Sequence, residues 1–221
     1  MNVFVTFISA VTSYLIGAAP FGLLISRSRG VDIRTVGSGN IGATNVFRSL
    51  GRKWGILTFI CDVLKGFFPA FVLPSTAYHL VQISPSTVNV LPLICAISAV
   101  AGHNWPVYLG FKGGKGVATT TGALLGIAPL PLAAGLVTWI IVFLVSRYVS
   151  AASISAALSV PAAAWFLSLQ TRYPSFQKGT LLPAFLTFLG ALAVWRHKAN
   201  IVRLARGTEH RFDLKKKNRQ R

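Results

Sequence analysis

The chain has 221 residues, 53% of them hydrophobic and only 12% charged, with a mean hydropathy of +0.61. Soluble domains carry about 25% charged residues, so this composition excludes an ordinary water-soluble globule. The net charge of +18, from 22 Lys and Arg against four acids, would suit nucleic acid in a soluble chain. In so apolar a chain it marks cytoplasmic loops instead, and no nucleic-acid partner is expected.

The first apolar run, 3–25, is uncharged and long enough to cross a bilayer. No Lys or Arg precedes it, so it lacks the basic start of a secretory signal. Arg27 and Arg29 follow at once, which puts the N-terminus outside and the next loop in the cytoplasm. A second span is predicted from Trp54 to Leu73 and a third from Val88 to Ala101. Residues 117–145 are uncharged for 29 positions, about 43 Å as a helix and too long for one span. Pro129 and Pro131 predict a break into two shorter helices there. Two more spans are predicted at 149–169 and 180–195.

The fold class is therefore an all-α polytopic membrane protein of about seven transmembrane helices. Its N-terminus lies outside and its C-terminus in the cytoplasm, with re-entrant or short-helix segments around a cytoplasmic site. Five or six full spans stay open, because the segments near 88–131 are short. This threading puts nineteen basic residues on the cytoplasmic side and only Arg172 and Lys178 opposite, with Lys65 inside a span. Residues 1–195, including loops 26–53 and 103–116, are read as one integral-membrane catalytic domain. Residues 196–221 form a basic cytoplasmic segment whose first part, 196–209, completes the site. Cys61 and Cys95 lie in apolar runs without metal or disulfide spacing and are read as packing residues.

Three polar segments fall on the predicted cytoplasmic face. The first, VGSGNIGATNVFRSLGRK (36–53), sets Ser38, Asn45 and Arg48 among glycines; backbone amides freed by glycine face anions, and arginine binds them in bidentate fashion. An ordinary polar turn is the alternative. The second, GHNWPVYLGFKGGKGVATT (102–120), carries Lys112 and Lys115 among Gly113, Gly114 and Gly116. It departs from the nucleotide-binding P-loop, since Gly116 follows Lys115 where Ser or Thr belongs and Leu109 replaces the first glycine. No acid suitable for magnesium is evident, so a nucleotide hydrolase and a metal site are not expected. Close approach to phosphate remains, aided by a helix N-terminus if Val117 starts a helix; a basic loop touching lipid head groups is the alternative. The third, RHKANIVRLARGTEHRF (196–212), puts Arg196, His197 and Asn200 on one helix face, extended by Arg203. A stop-transfer tail is the alternative; it fits the terminal lysines and explains His197, Asn200 and Glu209 less well. Inside the second span, Asp62 and Lys65 stand at i, i+3, either as a structural pair or as the floor of the site.

Such a cationic, glycine-lined seat at the lipid boundary suits phosphorylated reactants of which one bears a fatty tail. SGNIGATNVFR, GHNWPVYLGFKGGKGVAT and RHKANIVRLARGTE resemble, in order, the three signature segments of the bacterial acyl-phosphate:glycerol-3-phosphate acyltransferases, the PlsY family. The resemblance covers essentially the whole chain; Trp105, where the family often has Phe, and a longer basic tail are its departures. It implies transfer of an acyl group from acyl phosphate to the 1-hydroxyl of sn-glycerol 3-phosphate, without a cofactor, in the bacterial cytoplasmic (inner) membrane. It implies that Lys112, Gly113, Gly114, Lys115 and Gly116 cradle the acyl phosphate. Ser38, Asn45 and Arg48 would hold glycerol 3-phosphate, assisted by His197 and Asn200, with Ser150 completing the pocket. Lys112, Ser38, Arg48 and His197 are the catalytic candidates, and His103 is a further substrate contact. Positions five after the four histidines are Ser84, Tyr108, Val202 and Lys215, so no His-x4-Asp pair exists. The hydroxyl proton goes to His197, to His103 or to a substrate phosphate, with the last preferred. A monomer suffices for such a site. A transporter of an organic phosphate is the rival reading, but it would place its polar site near the midplane between repeats.

Overall fold

A computed structural model describes residues 2–81, 85–169 and 179–212. Arg172, Lys178, Ser84 and the tail from Asp213, Lys215 included, lie outside the described residues. The described chain is helical and, within it, without strands. It folds as two compact units, residues 1–129 and 130–221.

The first unit begins with α1 (Val3–Ala18) and α2 (Phe21–Arg27). The run expected as one span at 3–25 is therefore two helices. Pro20 disfavours helical backbone at the residue before it, and Ala19 turns to ψ 117°. α3 (Ala43–Leu50) is a short amphipathic helix, and α4 (Arg52–Phe67) follows directly after Gly51. Pro69 cannot donate to the helical ladder, and the chain relaxes through a π-turn at Phe68–Val72 before α5 (Leu73–Val81) resumes the span. α6 covers Pro85–Asn104, a 3₁₀ turn Val107–Leu109, and α7 Val117–Ile127.

Within this unit α1 packs on α6, and α4 on both α3 and α7. The α4–α7 contact is close because both helices present glycine. A Cβ at Gly66 would strike the Thr119 carbonyl, and one at Gly122 the Val63 carbonyl. Small residues at such crossings are how helices pack where lipid removes the hydrophobic drive between them. The contact fixes where α7 begins.

The second unit holds α8 (Pro129–Ser146, its first residue at the boundary), α9 (Val149–Ser168), α10 (Leu181–Arg196) and α11 (Lys198–Ala205). The predicted break before Pro129 is present, with Ala128 at φ −150°, ψ 60°. Residues 196–212 fold with these helices, α11 packing on α9 and α10.

Among the described residues, five stretches are long and apolar enough to cross a membrane: Val3–Arg27, Arg52–Val81, Thr87–Leu109, Pro129–Ser146 and Val149–Ser168. Val117–Ile127 and Leu181–Arg196 are shorter apolar helices. Large apolar side chains face outward along them, among them Phe4, Phe7, Leu64, Phe71, Ile141 and Leu144. Water would penalise such a surface; hydrocarbon does not.

Candidate active site

In the first unit, the loop 28–42 is built around one side chain. Asn45, on the first turn of α3, is 3% exposed. Its Nδ2 lies 3.1 Å from the Ile33 carbonyl, 3.0 Å from that of Val36 and 2.9 Å from that of Asn40. Its Oδ1 accepts from the Ser38 backbone N–H at 2.9 Å. The amide expected to meet substrate is thus engaged with the loop, and it sets the positions of Gly37, Ser38 and Gly39. Ser38 and Arg48 have exposed side chains. At the loop's start Asp32 accepts from the Arg34 guanidinium at 2.6 Å and from Arg27 at 3.3 Å. Those contacts, with Arg34's backbone N–H, hold its carboxyl well below the usual carboxylate range.

Two of the three polar segments meet here, because Leu109 packs against the cluster of Leu23, Ile33, Ile41 and Val46. The glycine-rich segment reverses direction in left-handed backbone at Gly110, Phe111 and Gly116, the last with φ +80°. Phe111, at φ +64°, carries the strain a side chain meets there. The Tyr14 hydroxyl donates to the Trp105 carbonyl at 2.7 Å and ties the segment to α1. Lys112 is exposed, Gly113 and Lys115 are half-buried, and Gly114, Gly116 and His103 are buried. The Gly114 N–H donates to the His103 carbonyl at 3.1 Å. α7 starts at Val117, immediately after Gly116, so two lysines and the positive end of a helix dipole serve one turn. Positive charge and outward backbone amides at a helix start favour an anion there. A Cβ at Gly114 would collide with the His103 ring. Gly114→Ala should therefore lower activity at least about tenfold by displacing the turn, checked by initial rates on purified protein of unchanged helicity.

In the second unit a carboxylate gathers the third segment. α11 ends in a left-handed turn at Gly207, φ +68°, with Gly207 N–H donating to Leu204 O and Thr208 N–H to Arg203 O. This Schellman-type end swings Glu209 back towards α9. Its side chain, 5% exposed, accepts from the Ser150 hydroxyl at 2.9 Å, Asn200 Nδ2 at 2.7 Å and Arg203 Nε at 2.7 Å. Burial opposes its ionisation, but the three donors outweigh burial and hold its pKa below the ordinary 4.5. Beyond it, Phe212 N–H donates to the Arg147 carbonyl and its ring meets Phe143 edge-on.

The single helix face expected for Arg196, His197 and Asn200 is interrupted, since His197 stands between α10 and α11 at φ −95°, ψ 7°. Its Nδ1 lies 2.8 Å from the Ala193 carbonyl. A carbonyl only accepts, so Nδ1 carries a proton and Nε2 is the nitrogen whose protonation can change. Asn200 is buried, and its Oδ1 has no hydrogen-bond partner among the described residues. Ser150, 5% exposed, sits on the first turn of α9. Glu209 is the organising residue that was not among the expected site residues; its signal was a lone acid in a strongly basic stretch.

The glycerol-3-phosphate acyltransferase family profile matches residues 7–207. A glycerol-3-phosphate acyltransferase of Aquifex aeolicus is 42% identical over 201 residues, covering 90% of this chain and 95% of the relative. One of Geotalea daltonii is 43% identical over 200 residues, covering 90% and 94%. Among solved structures, PlsY, an integral membrane glycerol 3-phosphate acyltransferase, in its glycerol 3-phosphate form shares 38% identity and a TM-score of 0.79, over 94% of this chain and 96% of that one. Its lysophosphatidic acid form gives a TM-score of 0.78. With similarity this extensive in sequence and in three dimensions, the chain belongs to the glycerol-3-phosphate acyltransferase family of membrane proteins.

Proposed function

We propose that this protein transfers an acyl group from acyl phosphate to the 1-hydroxyl of sn-glycerol 3-phosphate. The products are 1-acylglycerol 3-phosphate (lysophosphatidic acid) and inorganic phosphate, in the first acylation step of phospholipid synthesis. The observation that carries the donor assignment is the turn at 112–116, which sets Lys112, Lys115 and a helix N-terminus close together in the chain, suited to one phosphate. The acceptor and the product are supported by the structural relative PlsY, which has been solved in a glycerol 3-phosphate form and a lysophosphatidic acid form. The excess of basic residues in 26–53, 103–116 and from Arg196 onward supports a bacterial cytoplasmic-membrane protein with its N-terminus outside and seven crossings.

The substrate hydroxyl oxygen attacks the acyl carbon, the carbon–oxygen bond to phosphate breaks, and the hydroxyl proton passes to a phosphate oxygen. Phosphate is a competent leaving group, so no acyl-enzyme is needed. Lys112 and Lys115 with the amides of Gly113, Gly114 and Gly116 stabilise the charge that collects on the departing phosphate. Ser38, on the loop that Asn45 holds, and Arg48, on α3, bind glycerol 3-phosphate. In the second unit, His197 and Asn200 are assigned to polar groups of the substrate; the Asn200 Oδ1, without a hydrogen-bond partner among the described residues, suits a hydroxyl. Ser150 acts through Glu209, which it touches.

The test is purified protein in lipid, palmitoyl phosphate and glycerol 3-phosphate, with phosphate release and lysophosphatidate as readouts and palmitoyl-CoA as the control donor. Turnover with the thioester but not the acyl phosphate overturns the donor assignment; vesicle flux of labelled glycerol 3-phosphate without acyl product overturns the reaction. His197→Ala separates a ligand from a base. A general base contributes about 10² to 10⁴ in rate, so loss of kcat below that range, with a raised KM for glycerol 3-phosphate, is expected of a ligand.

A further inference from the structure

Asp62 and Lys65 lie one turn apart on α4, each side chain 2% exposed, with Lys65 Nζ 2.9 Å from Asp62 Oδ1. A buried ion pair seldom stabilises more than apolar residues of the same volume, because desolvation consumes the Coulomb gain. Ionised side chains within membrane spans are accordingly associated with function. The neighbours of this pair indicate which function. Lys65 Nζ donates to the Ala19 carbonyl at 2.7 Å, at the break that Pro20 makes between α1 and α2. Its ammonium also lies 5.7 Å from the centre of the Phe21 ring.

On the other side, Asp62 Oδ1 stands 3.8 Å from His103 Nδ1. That is too long for a hydrogen bond, yet near enough for a carboxylate to orient an imidazole in a dry interior. The opposite edge of the ring, at Nε2, fills the space a side chain on Gly114 would take, and the Gly114 N–H is bonded to the His103 carbonyl. One connected series of contacts runs from Ala19 through Lys65, Asp62 and His103 to the glycine-rich turn.

We propose that the Asp62–Lys65 pair is a positioning device for that turn: the carboxylate orients His103, and the imidazole sets where Gly114 and its neighbours stand at the start of α7. Lys65 fixes the carboxylate and anchors it to the α1–α2 break. The role in catalysis rests on the reading that this turn receives the acyl phosphate. Asp62 and Lys65 are positioning residues, acting on substrate only through His103 and the turn.

The decisive variant is the double substitution Asp62→Asn with Lys65→Met in the full chain in lipid bilayers, since it removes both charges at similar volume and strands neither. It is expected to keep a near wild-type Tm while raising KM for palmitoyl phosphate about tenfold and leaving KM for glycerol 3-phosphate within about twofold. The imidazole nitrogen resonances of His103, assigned by their loss in His103→Gln, should shift. Unaltered KM values with unaltered His103 resonances overturn the proposal. So does a uniform loss in kcat and both KM values that follows a fall in Tm, which is what packing alone would give. If the double variant does not fold, Asp62→Glu retains the charge and moves it along the helix face; a severalfold rise in KM for palmitoyl phosphate is expected, and a wild-type value overturns the idea. The resonance shift needs no substrate, so failure of palmitoyl phosphate as donor would refute the reaction while leaving the positioning role to stand on the shift.

Discussion

Asn45→Asp is expected to abolish detectable turnover while altering only one heavy atom. The substitution replaces an NH₂ group, which faces three backbone carbonyls within 3.1 Å, by a second carboxylate oxygen. Donor becomes acceptor in a place that is 3% exposed, so attraction turns to repulsion and the charge has no water to face. A buried polar group without its partner costs about 1–3 kcal/mol, and more when charged. A loss of at least about 3 kcal/mol from the loop follows, enough to release residues 33–40 from α3. Asn45→Ala, which deletes the bonds without adding repulsion, should be milder. Thermal unfolding in detergent and KM for glycerol 3-phosphate check the order; equal effects for Asp and Ala would refute the role of the three carbonyls.

Glu209→Ala carries the second large effect. Three donors, from Ser150, Asn200 and Arg203, converge on that carboxylate, and all lose their acceptor together. Arg203 is partly exposed and finds water, but Ser150 and Asn200 are buried. The expected cost is about 2–4 kcal/mol, with activity falling because Asn200 is no longer held. Glu209→Gln keeps one acceptor oxygen and should lose less. The pH dependence has a fixed sign. The folded pKa lies below the ordinary 4.5, so the stabilisation is full above that value and disappears as pH falls from there through the depressed folded pKa. A stability profile of wild type against Glu209→Gln should converge at the acid end. Parallel profiles would show that the carboxylate's charge does not matter.

Several elements were legible because the signal is local. Long apolar runs marked helices of membrane length, and Pro129 with Pro131 marked the break now seen at Ala128. Hydropathy alone passed over the break at Pro20, since apolar residues continue on both sides of it; the proline rule that located one break applied equally to the other. The i, i+3 spacing of Asp62 and Lys65 showed that they can meet, and they do. Nothing in that spacing identified Ala19 or His103 as their further partners, 46 and 41 positions from Lys65 and Asp62 respectively.

The candidate site divides the same way. Residue types suggested a chemistry: glycines and lysines for phosphate, amides and hydroxyls for a polar head. Whether a given amide faces substrate or scaffold depends on where distant carbonyls and carboxylates end up. Asn45 is spent on its own loop, and Ser150 meets Glu209 across 59 residues. By itself the sequence determined the apolar helices, the break at Pro129 and the charged segments, because apolar length, proline and net charge act within a few residues of where they are written. Only tertiary structure decided which polar groups hold the loops and which, like Asn200 Oδ1, keep no hydrogen-bond partner among the described residues, because hydrogen bonds are satisfied between neighbours in space, and folding selects those neighbours.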